Sequence, residues 1–188
     1  LQECYTIMNV TATRHMLSGA VTVPGSKSHT IRAGIFSLLA NGKSVIQNPL
    51  ESADCLSCMD AIQAFGAEVL IEPGTWTVTP PADGLRIPPR VVDVGNSGSV
   101  LYFIAPVAST LPGWSVLTGD ASICTRPIAP LLEGLQSIGA QAFTTRPGID
   151  APPAVVRGPV SAGTVELEGN LSQYASGIMM AATRINGT

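Results

Sequence analysis

The sequence predicts an α+β fold in which one βαβαββ unit recurs along the chain. Three segments support this prediction, because each reads as a short strand that is followed by a glycine turn and then by a helical pattern. These segments are Val21–Gly25, Val91–Gly95 and Val165–Gly169, and their glycines are 70 and 74 residues apart. The composition, 45% hydrophobic and 12% charged over 188 residues, suits a compact globular protein.

In the first unit, a helix is predicted at Ser28–Leu39. The helical period assigns five apolar side chains to its buried face: Ile31, Ile35, Phe36, Leu38 and Leu39. A turn at Asn41-Gly42 then leads into a strand at Ser44–Gln47.

The second helix of this unit is predicted to begin after Ser52, whose hydroxyl can cap a helix N-terminus. Four apolar residues that recur every three positions are expected to face the core: Leu56, Met59, Ile62 and Phe65. A glycine ends this helix, as a left-handed C-cap requires. A hairpin of Glu68–Ile71 and Thr75–Val78 completes the unit.

The second unit repeats this order. A helix is predicted at Gly98–Ser109, a strand at Trp114–Thr118, and a second helix led by Arg126-Pro127, since proline suits a first helical turn. The segment Leu135–Ala142 matches Ile62–Val69 of the first unit, so the second helices end in the same way.

The third unit is predicted only in part. It has a strand at Thr164–Leu167 and a helix at Ser172–Ala182, and we expect its second half to come from a longer polypeptide or a partner chain. The units are predicted to cover residues 18–80, 86–158 and, in part, 159–188. Residues 1–17 match no unit and are interpreted as an N-terminal extension or tag.

Charge and hydropathy exclude some classes of partner. The net charge of −3 and the pI near 5.3 give no overall field that would attract nucleic acid or an anionic membrane. The apolar runs are shorter than the roughly 20 residues of a membrane span, and no signal peptide is recognisable. We therefore predict no nucleic-acid or membrane partner and a cytoplasmic location.

The four cysteines, Cys4, Cys55, Cys58 and Cys124, do not form a disulfide scaffold in a chain of this length. Cys55 and Cys58 form a C-x-x-C pair, but a zinc site needs a second ligand pair, and both histidines, His15 and His29, stand alone. We therefore predict no metal site and expect the pair to pack inward on a helix.

A candidate anion site lies at Gly25-Ser26-Lys27-Ser28. A strand there meets a helix N-terminus, where free N–H groups and the helix dipole favour a phosphate or carboxylate. Ser28 and Arg32 are four residues apart and share a helix face. The P-loop pattern fails because Ser26, not glycine, precedes the lysine. A solvated helix start without a ligand is the alternative interpretation.

The other two junctions favour the anion site. Gly95–Ser99 and Gly169–Gln173 place glycines, hydroxyls and amides at equivalent positions, and Gly119–Pro127 adds the guanidinium of Arg126. An arginine at a helix start opposes the helix dipole, and a bound anion would offset this cost. We therefore predict that the three junctions converge on a small anionic ligand.

Four motifs, in order, resemble the 5-enolpyruvylshikimate-3-phosphate synthase (3-phosphoshikimate 1-carboxyvinyltransferase) family. They are P-G-S-K-S-x-T-x-R-A at Pro24–Ala33, G-N-S-G-S at Gly95–Ser99, G-D-A-S-x-x-x-R-P at Gly119–Pro127, and G-N-x-S-Q at Gly169–Gln173. The resemblance implies an enolpyruvyl transferase-like inside-out α/β barrel lobe, with βαβαββ units around a pseudo-threefold axis. It implies that residues 18–188 form most of the N-terminal lobe and that the C-terminal lobe is absent.

The implied reaction transfers the enolpyruvyl group of phosphoenolpyruvate to the 5-hydroxyl of shikimate 3-phosphate and releases phosphate. No metal or organic cofactor is implied. Carried over by position, Lys27 and Arg126 would be catalytic. The substrate-binding residues would be Lys27, Ser28, Arg32, Gly98, Arg126, Ser172 and Gln173. Asp54 matches a family position and is interpreted as structural support.

The chain departs from the family pattern at two places. Leu171 replaces a serine, and Tyr102-Phe103 replaces an arginine-proline pair. The resemblance assigns the acidic proton-transfer residue to the absent lobe, so the isolated chain is expected to be inactive.

Two alternatives remain open. A UDP-N-acetylglucosamine enolpyruvyl transferase would commonly carry a cysteine where this chain has Ala121, and an asparagine in place of Ser28. The other alternative is a non-catalytic lobe that binds shikimate 3-phosphate.

Overall fold

A computed structural model of the chain describes residues 10–14, 16, 18–167, 169 and 171–187. Cys4, His15 and Asn170 lie outside the described residues, as does most of the predicted extension. The helices and strands, in chain order, are α1 (Lys27–Leu39), β1 (Ser44–Gln47), α2 (Ala53–Ala64), β2 (Glu68–Glu72), β3 (Thr75–Thr79), β4 (Val92–Asp93), α3 (Gly98–Ala108), β5 (Ser115–Thr118), a 3₁₀ turn (Ile123–Thr125), α4 (Ala129–Ser137), β6 (Gln141–Thr144), β7 (Ala154–Arg157) and α5 (Ser172–Ala182).

The two sheets show the repeat directly. The first has the order β1-β3-β2 and the second β4-β5-β7-β6, so β1, β2 and β3 correspond to β5, β6 and β7. All pairs are antiparallel except β4–β5, which is parallel and joined through α3. The α+β repeat predicted from the sequence is confirmed.

Serine hydroxyls cap three of the helices. Ser26, Ser52 and Ser97 each accept a hydrogen bond from the backbone N–H three residues later, at the start of α1, α2 and α3. After α2 and α4 the chain turns at Gly66 and Gly139, with φ of 100° and 105°. Only a residue without a side chain adopts this conformation at little cost, which confirms the predicted glycine ends.

Two predicted strands are wrong. Val21–Val23 and Thr164–Leu167 form no strand. Val21 is 88% exposed, and Val165 and Leu167 pack on Gly134 of α4 rather than on a strand. A strand needs a hydrogen-bonding partner as well as a suitable composition, and these segments pair with no strand among the described residues.

The predicted start of the fourth helix is also wrong. Arg126 follows the 3₁₀ turn with extended backbone, φ −83° and ψ 131°, and α4 begins only at Ala129. A residue before proline is pushed out of the helical region, so Pro127 prevents a helix from starting at Arg126. Pro130 is the proline in the first turn.

Two side chains assigned to the core are exposed: Phe36 by 51% and Leu56 by 44%. Helical residues rotate by about 100° each, so Phe36 lies about 140° from the buried Ile31. Residues three apart on a helix are offset by about 60° around its axis. Leu56 is three such steps from the buried Phe65 and therefore lies on the opposite side of the helix.

The core is continuous across both units, and α3 lies at its centre, with every residue from Val100 to Ala108 buried. Gly177 lets α5 approach it closely, since a Cβ there would be 2.1 Å from the Tyr102 carbonyl oxygen. Among the helices of the described residues, none has the length and apolar character needed to cross a membrane.

Candidate functional site

The first turn of α1 brings Ser28 and Arg32 together, as predicted. The Arg32 guanidinium donates to the carbonyl oxygen of Ser28 at 3.3 Å and to its hydroxyl. It also lies 4.9 Å from the ring centre of Phe103 on α3. The aromatic contact restricts the side chain without neutralising its charge.

Lys27 is held by a carboxylate from the neighbouring helix. Its Nζ lies 2.9 Å from Oδ2 of Asp54, in the first turn of α2, and its side chain is 54% exposed. Such an exposed pair adds little stability. Its effect is to restrict the position of the ammonium group beside the α1 N-terminus, which agrees with the supporting role interpreted for Asp54.

Close backbone packing fixes the start of α1. A Cβ on Gly25 would lie 2.3 Å from the carbonyl oxygen of Asn48, so this approach requires glycine. The buried hydroxyl of Thr30 accepts a 2.9 Å hydrogen bond from the N–H of Leu50. The loop at residues 48–50 thereby anchors the turn that presents Lys27 and Ser28.

Cys55 and Cys58 also support α1. Both are fully buried, and their thiols donate weak hydrogen bonds to the carbonyl oxygens of Lys27, at 3.8 Å, and Ile31, at 3.6 Å. Burial, together with the nearby Cys55, raises the pKa of the Cys58 thiol. The pair therefore packs inward, as predicted.

Arg126 lies at the N-terminus of α3. Its guanidinium donates to Oδ1 of Asn96 at 2.9 Å, and Nδ2 of the same amide donates to Oδ2 of Asp120 at 2.7 Å. A Cβ built on Gly98 would be 2.8 Å from an Arg126 nitrogen, so glycine leaves the space that this guanidinium occupies. The arginine predicted at a helix N-terminus thus lies at that of α3 rather than α4.

Asp120 closes the loop that carries Arg126. Its Oδ1 accepts a 2.9 Å hydrogen bond from the N–H of Ile123. That bond, with the Asn96 contact and the Arg126 charge, holds the pKa of the Asp120 carboxyl below its usual value. Asp120 is therefore ionised at neutral pH and orients Asn96.

The third junction meets the second through Gln173. Its amide donates a 2.7 Å hydrogen bond to the hydroxyl of Ser99, which places the start of α5 beside the start of α3. Ser172 is exposed at the same end of α5.

The partners of the cations differ in charge. Among the described residues the ion pairs are Lys27–Asp54 and Arg90–Asp60. Arg32 and Arg126 instead contact hydroxyl, carbonyl, amide and aromatic groups. Two guanidinium groups that form no direct ion pair, one on α1 and one at the start of α3, are each suited to bind an anion.

Some of the predicted site residues contact one another: Ser28 contacts Arg32, and Gly98 contacts Arg126. Gln173 contacts Ser99, which follows Gly98, and Lys27 contacts Asp54. Convergence of Lys27, Arg126 and Ser172 on one ligand stays a prediction. Sequence reasoning assigned no role to four residues that shape the site: Asn96, Asp120, Asp150 and Tyr174. A polar residue inside a glycine-rich motif was the available signal for Asn96.

Comparison with known proteins identifies the family of this chain. The family model described as EPSP synthase (3-phosphoshikimate 1-carboxyvinyltransferase) matches residues 11–188. A 3-phosphoshikimate 1-carboxyvinyltransferase of Acetivibrio thermocellus is 44% identical over 163 residues, and one of Methanococcus vannielii is 40% identical over 166 residues. Each match covers 87% of this chain and 38% of the relative.

Solved structures give the same result. Two structures of EPSP synthase from Acinetobacter baumannii superpose with TM-scores of 0.79 and 0.80, at 30% identity, over 87% of this chain. The matched part is 37% and 38% of those chains. The chain thus spans well under half the length of the proteins it matches, and it belongs to the EPSP synthase (3-phosphoshikimate 1-carboxyvinyltransferase) family.

Proposed function

We propose that this chain supplies part of the substrate site for transfer of the enolpyruvyl group from phosphoenolpyruvate to the 5-hydroxyl of shikimate 3-phosphate. The supporting observation is that Arg32 and Arg126, in two family motifs, form no direct ion pair among the described residues and lie near the N-terminal parts of α1 and α3. Both substrates are small polyanions, which such groups bind well. The proposal concerns the contribution of this chain, since the match covers about 38% of the relatives.

For shikimate 3-phosphate, we assign the carboxylate and ring hydroxyl to Arg32 and Ser28. Their mutual contact presents a planar guanidinium and a hydroxyl on one face of α1. Ser172 would bind the 3-phosphate from the start of α5, and Gln173 would lie along the ring. Leu171 offers no hydroxyl there, so this chain has one phosphate donor fewer than the family pattern.

For phosphoenolpyruvate, we assign the phosphate to Arg126 and the close backbone approach to Gly98. Lys27 would contact both substrates and stabilise the charge on phosphoenolpyruvate. Asp54 holds this ammonium group at 2.9 Å, so a substrate would meet it in a restricted position beside the α1 N-terminus.

The proposed reaction requires hydrogen-bond donors at fixed positions around the negative charge that is distributed over the reacting phosphoenolpyruvate. Protonation of the enol carbon and attack by the 5-hydroxyl, which gives up its proton, form a tetrahedral intermediate. This intermediate then loses phosphate together with a proton from the new methyl group, which restores the double bond. Donors that are already oriented stabilise such a state without reorganisation. Lys27 and Arg126 would serve this purpose. The acidic proton-transfer residue, as the resemblance implies, would come from a second lobe, so we expect no turnover by this chain alone. A cytoplasmic location is part of this proposal.

Calorimetric titration of the 188-residue chain with shikimate 3-phosphate tests the proposal. We expect measurable binding that Arg32→Ala weakens at least tenfold, because a charge-assisted bidentate contact is lost. Arg90→Ala is the matched control, since Arg90 forms an ion pair with Asp60 and belongs to none of the four family motifs. Equal affinity in all three proteins would exclude the assignment of Arg32.

A non-catalytic binding lobe is the second candidate, and it shares with the first the expectation of binding without turnover by this chain alone. Addition of phosphoenolpyruvate together with shikimate 3-phosphate should release no phosphate from the isolated chain. Release at a steady rate would show that this chain contains the whole catalytic apparatus, and the assignment of a partial site would then be wrong.

A further inference from the structure

The backbone on either side of Arg126 is held by groups from distant parts of the chain. On the C-terminal side, Oδ1 of Asp150 accepts a hydrogen bond from the N–H of Ile128 at 3.0 Å and another from the N–H of Ala129. Helix α4 has no capping side chain of its own at Ile128. Asp150, on the β6–β7 loop, therefore caps α4 from 21 and 22 residues away.

Two tyrosines hold the same peptide from its other side. The hydroxyls of Tyr102 on α3 and Tyr174 on α5 both donate to the carbonyl oxygen of Pro127, at 3.1 and 2.9 Å. Their rings meet edge to face with centroids 4.9 Å apart, and the residues are only 5% and 6% exposed. The two phenols are thus rigid donors from two different helices.

These contacts meet in one peptide unit. The carbonyl of Pro127 and the N–H of Ile128 belong to the same planar group, so its oxygen is fixed by the tyrosines and its N–H by Asp150. The ring of Pro127 restricts its φ angle. Little rotational freedom therefore separates this fixed peptide from the Cα of Arg126.

The N-terminal side is held as well. The N–H of Arg126 donates to the carbonyl oxygen of Ile123 at 3.0 Å. The guanidinium of Arg146 donates to the carbonyl oxygens of Cys124 and of Pro152, the latter at 2.7 Å. The β6–β7 loop thus touches the Arg126 loop both before and after the arginine.

We propose that Asp150, Tyr102 and Tyr174 are positioning residues for Arg126, which fix its backbone so that the guanidinium meets an anion at the start of α3. This proposal rests on the anion-binding role given to Arg126 under the proposed function. Tyr102 is an uncharged, buried donor, so it holds the Arg126 loop without placing a second cation beside the guanidinium.

Substitution of Asp150 tests the proposal, because the loss of its charge and the loss of its hydrogen bonds should change anion affinity in opposite directions. Removing a carboxylate near Arg126 should by itself strengthen the binding of an anion. If Asp150→Ala weakens binding, the cause is therefore the lost hydrogen bonds and not the lost charge. Asp150→Asn loses the same charge but keeps an oxygen that can accept both N–H groups.

The experiment is a titration of the 188-residue chain with inorganic phosphate, followed by NMR. We expect Arg126→Ala to weaken phosphate binding at least tenfold, Asp150→Ala to weaken it about fivefold, and Asp150→Asn to remain within about twofold of the unmodified chain. In the Arg126→Ala background, Asp150→Ala should have no further effect, because it acts through the arginine. The double variant Tyr102→Phe/Tyr174→Phe keeps both rings and should weaken phosphate binding as much as Asp150→Ala does. It replaces Asp150→Ala in the experiment if that variant does not fold.

The outcomes separate this inference from the proposed function. If Arg126→Ala weakens binding but Asp150→Ala and the double phenylalanine variant do not, the positioning role is wrong and the proposed function stands. An equal loss from Asp150→Ala with and without Arg126 would show a general effect on the fold and would also overturn it. If Arg126→Ala has no effect, the role of Arg126 in the proposed function fails, and the inference fails with it.

Discussion

The amide of Gln173 donates a 2.7 Å hydrogen bond to the hydroxyl of Ser99, across 74 residues of sequence. This is also the spacing of Gly95 and Gly169, so the two residues occupy the same position, four after the glycine, in successive units. The repeat therefore brings equivalent positions of two helix starts into contact. A ligand bound at either start would lie close to both.

Gln173→Ala should lower the free energy of unfolding by about 1 kcal/mol, the usual contribution of one hydrogen bond between neutral side chains. Gln63→Ala is the matched control, because Gln63 is an exposed helical glutamine on α2. Urea unfolding of both variants provides the measurement. Equal stability of the two would mean that the Gln173–Ser99 bond adds nothing to the packing of α5 on α3.

Gly177→Ala should be more damaging, by about 3 kcal/mol or more, because the added methyl group would meet the backbone of α3 and not a movable side chain. Gly42→Ala is the control, since nothing lies within 4 Å of a Cβ at that glycine. Thermal unfolding compares the two. A Gly177→Ala variant as stable as Gly42→Ala would contradict the close crossing of α3 and α5.

Gly98→Ala should separate binding from stability. The added methyl group would lie 2.8 Å from a terminal nitrogen of Arg126, which is the flexible end of a side chain and can move away. We expect the melting temperature to change little and phosphate affinity to fall about tenfold, as the guanidinium leaves the α3 N-terminus. Calorimetry and thermal unfolding on one preparation provide both values. Unchanged affinity would place the anion elsewhere.

Most of the fold was predictable because its signals are local. β1 and α5 have the predicted bounds, and Ser52 caps α2 as expected. Some errors were local, since Pro127 excludes a helix start at Arg126 and the helical period places Phe36 and Leu56 off the buried face. Two others concern features that depend on partners distant in sequence. Thr164–Leu167 has the composition of a strand but packs on a helix instead, and the start of α4 is set by Asp150, 22 residues beyond Ile128.

The candidate site also combines contacts that the sequence predicts with contacts that it does not. The contact between Ser28 and Arg32 follows from their spacing of four residues on a helix. The contacts of Tyr102 and Tyr174 with Pro127 span 25 and 47 residues, and a tyrosine in an apolar helix pattern gives no sign of such a partner. Only the packing of α3 against α5 brings the two phenols together.

Alkylation should distinguish the cysteines of the described chain. Cys55 and Cys58 are fully buried, and burial raises the pKa of Cys58, so the reactive thiolate is scarce in the folded state. With iodoacetamide at about pH 8, mass spectrometry should find the half-buried Cys124 modified first and the pair modified only after addition of denaturant. Early modification of Cys55 or Cys58 would reopen a redox or metal role for the C-x-x-C pair.

The stability of the fold should decline in alkali through the tyrosine pair. Burial, and then the neighbouring Tyr102, raise the pKa of Tyr174 above its usual value of 10.0, so the folded state holds this proton more tightly than the unfolded chain. The resulting stabilisation is complete below pH 10 and is lost as the pH rises above it toward the folded-state pKa. Between about pH 9 and pH 11, the unfolding free energy of the unmodified chain should therefore fall more steeply than that of Tyr174→Phe, which has no proton to lose at this position. Urea unfolding at several pH values measures both slopes, and Tyr102, whose pKa is also raised by burial, contributes to both. Parallel slopes would show that Tyr174 titrates alike in the folded and unfolded chains, and its hydrogen bond to Pro127 would then not be the buried contact described here.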